Sequence, residues 1–224
     1  MTYDDLRRAH PALFANPADC PIRLATAAEE RAAIERAVAD RLTAAGAPPE
    51  WARTGIVHQD QYMVVLRDAV VFADGTPGTY LRLFERPPEV RGAAILPRHA
   101  DRLILLRHFR HATRTIHLEV PRGFGESGLS SAETARKELG EEIAGTCDHL
   151  TGLGSLLWNS GLSGGVTDLF FAELQAYDDG ARSEGIVGIV ALTVPEVEAM
   201  IASDHINDSF TLACFTRARL AGLI

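Results

Sequence analysis

The segment Gly123-Phe124-Gly125-Glu126-Ser127-Gly128-Leu129, followed after seven residues by Lys137-Glu138-Leu139-Gly140-Glu141-Glu142, decides how this chain is read. Its glycines free the backbone to turn and to approach a ligand closely. Ser130-Ser131-Ala132-Glu133 forms a capping box, and Ala135, Leu139 and Ile143 recur every four residues, which predicts a helix over 131–144 with one apolar stripe. At about 100° per residue, Glu141 falls about 60° to one side of Glu138 and Glu142 about 40° to the other, so the three carboxylates share a face beside that stripe. Such a cluster is unfavourable alone: like charges at i and i+4 cost about 0.2–0.5 kcal/mol, and anions near a helix C-terminus oppose its dipole. A divalent cation reverses both signs. Mg²⁺ is usually held by one or two carboxylates plus water and substrate phosphates, so the pattern points to metal-assisted attack on a phosphoanhydride. Taken without their spacing, three glutamates also fit a solvated acidic helix face.

Outward from this segment the chain alternates between the two periods. On the N-terminal side, Ala27 to Ala45 carries Ile34, Val38 and Leu42 at helical spacing and is stopped by Gly46 and Pro48-Pro49. Tyr62 to Val71 and Thr79 to Phe84 are β-prone runs joined through Asp74-Gly75, a hairpin signal. Pro87-Pro88 then break the chain before β-like runs at 90–96, 103–106 and 116–120. Beyond the helix, 153–157, 169–174 and 186–192 are predicted strands, and 195–202 and 209–220 predicted helices, Pro195 suiting a first helical turn. The expected fold class is α/β: a layered mixed domain over 89–224, preceded by a helical arm over 1–60 and a small hairpin-like β unit over 61–88.

Composition bounds the function. With 224 residues, 46% hydrophobic and 23% charged, the chain can bury a core and is not polar enough to be disordered. A formal charge of −8 disfavours general binding to nucleic acid or to anionic membranes, while a local arginine cluster or bound metal still permits small anionic substrates. Lys137 is the only lysine, so the positive charge is nearly all arginine, whose planar fork suits phosphate. Cys20, Cys147 and Cys214 show no paired spacing, which argues against a disulfide framework or a zinc box. The N-terminal residues lack the apolar core of a signal peptide, and no stretch is long enough to span a bilayer. A cytoplasmic protein with neither nucleic-acid nor membrane partners is expected.

The loop and helix together resemble the Nudix box, Gx5Ex7REUxEExGU with U a bulky apolar residue. The resemblance implies a Nudix-type α/β/α sandwich with a mixed sheet and a site for Mg²⁺ or Mn²⁺. It places metal-binding carboxylates at Glu138, Glu141 and Glu142 and a metal-binding backbone carbonyl at Arg122. Leu129 stands where the family has glutamate, Lys137 where it has arginine, and Ala144 where it has glycine. Because that glutamate and arginine pair within the family's box, one ion pair is expected to be missing here, with metal capacity retained.

Flanking residues resemble the ADP-ribose pyrophosphatase-like branch over about residues 60–224: Asp74-Gly75, Leu106-Arg107-His108-Phe109-Arg110, Leu118-Glu119-Val120-Pro121 and Ile206-Asn207-Asp208. That likeness implies substrate binding by Arg107, Arg110 and Glu119, and a catalytic acid in the late loop Tyr177 to Gly185, where Glu184 joins Glu138 and Glu142 as the candidate; Asp178 and Asp179 are its neighbours. From the residues alone, Arg107 and Arg110 equally suit pairing with surface acids, Glu184 equally suits solvation, and His108, His111 and His117 read as satisfied or exposed. The implied activity is metal-dependent hydrolysis of the diphosphate linkage of a nucleoside diphosphate derivative, ADP-ribose or a similar nucleotide-sugar, by a homodimer. The alternative, prompted by Leu129, Lys137 and Gly165, is a Nudix-like domain that binds a nucleotide-sugar without cleaving it.

Overall fold

Thr2 and Asp5 exchange the reciprocal hydrogen bonds of a capping box and start helix α1 (Tyr3–Ala9), which buries Tyr3 and Leu6. Our computed structural model describes residues 1–85, 90–178 and 185–224. They group into two units, Met1–Arg86 with Asn159–Gly164, and Pro87–Trp158 with Gly165–Ile224. In the first unit α1 is followed by β1 (Arg23–Leu24), α2 (Ala28–Ala44), β2 (Gly55–Gln59), β3 (Met63–Val71) and β4 (Pro77–Glu85). The hairpin is β3–β4, in register from Met63↔Glu85 to Val71↔Pro77, and its turn is held by the Thr76 amide donating to Asp74 Oδ1 at 2.8 Å. β2 and β1 share the other edge of β3 and complete a four-stranded sheet. Helix α1 and these two strands were not anticipated. A two-residue strand and a GIVHQ segment are too short to display a period, although Thr2 and Asp5 did carry a capping signal.

The second unit is built around β5 (Gly92–His99) and β6 (Arg102–Arg110). Ala93 to Leu96 and Leu103 to Leu106 are completely buried, the continuous apolar pattern of strands covered on both faces. β7 (Thr115–Glu119), β8 (Arg122–Gly123), α3 (Ser131–Ile143), β9 (Leu150–Leu156), β10 (Thr167–Glu173), β11 (Ile186–Leu192), α4 (Val194–Ala202) and α5 (Ser209–Leu220) follow. The sheet runs β11-β6-β5-β10-β9, with β5 and β10 parallel and the other pairs antiparallel. One face carries Ala93, Ile95, Ile104 and Leu106 against Ala135, Leu139 and Ile143 of α3. The other carries Ala94, Leu96, Leu103 and Leu105 against Val197 of α4 and Cys214, Phe215 and Ala218 of α5. The result is the expected α/β/α sandwich. β5 and β6 pair only at Arg98↔Leu103 and His99↔Arg102, then part, and β7 fills in beside β6 while β8 fills in beside β5.

Helix α3 begins with the anticipated capping box between Ser130 and Glu133. It ends at Ala144 in the left-handed conformation, φ 46° and ψ 33°, with the Gly145 amide donating to the Leu139 carbonyl at 2.8 Å. A Cβ disfavours that conformation by about 1–2 kcal/mol, which explains the glycine of the family's box. Ala144→Gly is therefore expected to stabilise the protein by about 1 kcal/mol and to raise the melting temperature by about 2–4 °C. An unchanged or lower midpoint in calorimetry would count against this account of the cap. Among the described residues no helix is long and apolar enough to cross a membrane. The proline pair at 87–88 lies outside the described residues.

Candidate active site

The first glycine of the loop, Gly123, and Glu138 of the helix meet directly. A Cβ built on Gly123 would land on the Glu138 carboxylate, so Glu138 lies in the space that the missing side chain leaves. One turn further, Glu142 Oε2 accepts the Arg122 amide at 3.0 Å. Glu142 is only 6% exposed. Burial pushes its carboxyl up to about 8; the Glu138 charge and, less, that of Glu119 add to the rise, while the Arg122 amide and the Arg110 charge oppose it. Here the buried Glu142 and its neighbour Glu138 bring two carboxylates together, the donor chemistry that suits a divalent cation.

Glu141 is turned to another task. Its side chain is 55% exposed and accepts Lys137 Nζ at 2.9 Å; the same ammonium lies 2.9 Å from Glu126 Oε1. The hydrogen bonds that it donates to Glu141 and Glu126 hold the Lys137 ammonium well above the usual lysine range. The ion pair expected to be missing is thus relocated rather than lost: the acid stands at 126, in the glycine-rich loop, instead of at 129.

Next to Glu142 is a buried charged cluster centred on Glu119, 1% exposed. His108 Nδ1 stands 3.0 Å from Glu119 Oε1, Arg110 pairs with the same oxygen, and Arg122 Nη2 is 3.5 Å from Oε2. Burial raises the Glu119 pKa, but the His108 and Arg110 hydrogen bonds and the charges of Arg122 and Arg110 outweigh it and hold the carboxyl below its ordinary range. Arg122 also reaches Asp208 Oδ1 at 3.5 Å and lies over the Phe210 ring at 4.5 Å, a cation–π contact.

Of the residues singled out in the sequence, Arg110, Glu119, Arg122, Glu138 and Glu142 form one electrostatic neighbourhood. Arg107 does not join it. Strand alternation places it, exposed, on the opposite face of β6 from His108 and Arg110, in register with Leu118 and Gly188. Glu184 lies outside the described residues, as does Asp179; the Asp178 amide donates to the Ile143 carbonyl at the end of α3. His108, Asp208 and Glu126 were missed as partners, although the two-residue spacing of His108 and Arg110 already put both on one strand face. Among the described residues no three His, Cys, Asp or Glu side chains form a ligand set by themselves, and Glu138 and Glu142 are the pair that could hold part of one.

No protein-family model matches the chain, and no curated protein matches it. A solved structure does: a crystal structure of an ADP compounds hydrolase matches with a TM-score of 0.66 and 21% sequence identity, over 76% of this chain and 93% of that one. The fold is of the Nudix type. In this Nudix-type fold the parting of β5 from β6 brings β8, and with it Arg122 and Gly123, to the C-terminal half of α3. At this identity the likeness concerns architecture, and the chemistry has to be argued from the side chains.

Proposed function

We propose that this protein hydrolyses the diphosphate linkage of a nucleoside diphosphate derivative, ADP-ribose or a similar nucleotide-sugar, with the help of Mg²⁺ or Mn²⁺. The observation that carries the reading is the buried Glu142 beside Glu138, tied to the loop through Arg122 and Gly123 and within reach of the Arg110 charge. The hydrolase of ADP compounds that shares the fold supports the substrate class.

Glu138 and Glu142 would hold the cation, together with the Arg122 carbonyl and, once released from Lys137, Glu141. Such an ion neutralises a diphosphate and lowers the pKa of bound water. The protein's own groups do the rest. Arg110 and Arg122 offer planar donors to phosphate oxygens, and Glu119, beneath both, fixes their orientation and reaches the substrate only through them. Arg107, on the other face of β6, serves substrate only where the chain presents that face. Hydrolysis forms one phosphorus–oxygen bond to water and breaks one in the bridge; the water proton passes to a carboxylate, for which Glu184 is our candidate. A homodimer belongs to the same reading and would be seen as a concentration-dependent mass in sedimentation.

The deciding experiment is an assay of ADP-ribose and a panel of other nucleoside diphosphate derivatives with Mg²⁺, Mn²⁺ or chelator. Metal-dependent release of a nucleoside monophosphate is the expected outcome. Calorimetric binding of ADP-ribose with no product would instead establish a binding domain.

A further inference from the structure

The loop between β7 and β8 is held from three sides, and the least expected hold comes from α5. Pro121 accepts the Ile95 amide of β5 at 2.9 Å, and the Arg122 amide is directed to Glu142 of α3. The third tie is the buried Val120 amide, which donates to Thr211 Oγ1 at 3.0 Å, a contact between residues 91 positions apart. Thr211 is completely buried, and its hydroxyl donates onward to Asp208 Oδ2 at 2.8 Å; the same oxygen caps α5 by accepting the Thr211 amide at 2.9 Å. The other Asp208 oxygen faces Arg122 Nη2. One N-cap therefore serves two ends of the same loop: Oδ2 holds Val120 through the threonine hydroxyl, and Oδ1 holds the Arg122 side chain.

A helix cap needs only an acceptor, which asparagine or serine supplies as well as aspartate does. The second oxygen and the interior threonine are more than the cap requires. We infer that Asp208 and Thr211 are positioning residues: they fix the Val120–Gly123 segment so that the Arg122 amide, its guanidinium and the Gly123 backbone stand in register with Glu138 and Glu142. The catalytic consequence rests on the hydrolase reading above; the positioning itself does not. The contacts of both residues run to Val120 and Arg122, so each acts through the loop.

Asp208→Asn keeps a competent cap and removes the charge facing Arg122. Thr211→Val keeps the shape and removes both hydrogen bonds, while Thr211→Ser keeps the hydroxyl. Amide exchange at Arg122, followed by NMR on the full-length protein without substrate, is expected to quicken about tenfold in Asp208→Asn and Thr211→Val and to return to the parent rate in Thr211→Ser. With ADP-ribose and Mg²⁺, kcat is expected to fall about tenfold in the first two with KM little changed, and to recover in the serine variant. Unaltered Arg122 exchange in both Asp208→Asn and Thr211→Val would overturn the inference, as would a serine variant as impaired as the valine one. Because the exchange measurement needs no turnover, a parent protein that cleaves nothing would end the hydrolase reading while leaving this one to be decided by its own data.

Discussion

Glu142→Gln is expected to eliminate most turnover while making the metal-free protein more stable. The two effects have one origin. Glu142 is buried beside Glu138, and its carboxyl is pushed from the ordinary 4.5 up to about 8, burial being the larger cause. Between those values the folded protein holds a proton that the unfolded chain has released, so stability falls as pH rises from about 4.5 through about 8 and is lowest above both. Glutamine has no proton to release and can still accept the Arg122 amide. The pH slope should therefore flatten, with a gain of about 1–3 kcal/mol near pH 8.5 in denaturant unfolding. Turnover should drop about a hundredfold or more, the scale on which one preorganised electrostatic group acts in a reacting site. The parent protein should in turn gain more melting temperature from Mn²⁺ at pH 8.5 than at pH 6, where protons compete for the carboxylate, and the glutamine variant should gain little at either. A glutamine variant that turns over normally, or a parent stability that is level from pH 5 to 8, would remove the basis of the assignment.

Gly123→Ala should be as damaging to activity by a purely steric route. The added methyl falls on the Glu138 carboxylate. The backbone cannot retreat, because Gly123 is in register with Ala93 and Arg122 with Ala94 across β5 and β8. The flexible end of Glu138 must swing away instead, which costs the fold little and takes one of the two carboxylates out of place. We expect a loss of about a hundredfold in kcat/KM and weaker Mn²⁺ binding by paramagnetic resonance, with a melting temperature within a few degrees of the parent. Gly140→Ala is the control: nothing stands within 4 Å of its added methyl, and replacing glycine inside α3 should stabilise by about 0.5–1 kcal/mol without loss of turnover. Equal activity losses in the two variants would show that the loss in Gly123→Ala does not arise from its contact with Glu138.

What could be read in the sequence was whatever is local or periodic. The Ser130 capping box, the stripe of Ala135, Leu139 and Ile143, and the unbroken apolar runs of β5 and β6 each announce an element by themselves, and together they specify the layers. The placement of Glu138 and Glu142 on one helix face followed from the same arithmetic. That arithmetic could not separate Glu141 from them, since its angular offset is similar; Lys137, one turn earlier, does so by claiming its carboxylate. Glu126 as the partner of Lys137 was illegible because a glycine-rich loop has no period to say which of its residues returns to the helix. The His108, Arg110 and Glu119 set needed the β6–β7 register, in which Leu106 opposes Glu119. The route from Asp208 through Thr211 to Val120 joins segments far apart in the chain and is visible only once α5 is packed.

A chain with a single lysine has a single ε-amine, and here that amine bridges loop and helix through Glu126 and Glu141. Acylation at this one nitrogen would sever both contacts in a single event and leave every guanidinium untouched. Ordinary amine chemistry, once the Met1 α-amine is accounted for, thereby becomes a perturbation of the box at a single side chain, needing no mutagenesis.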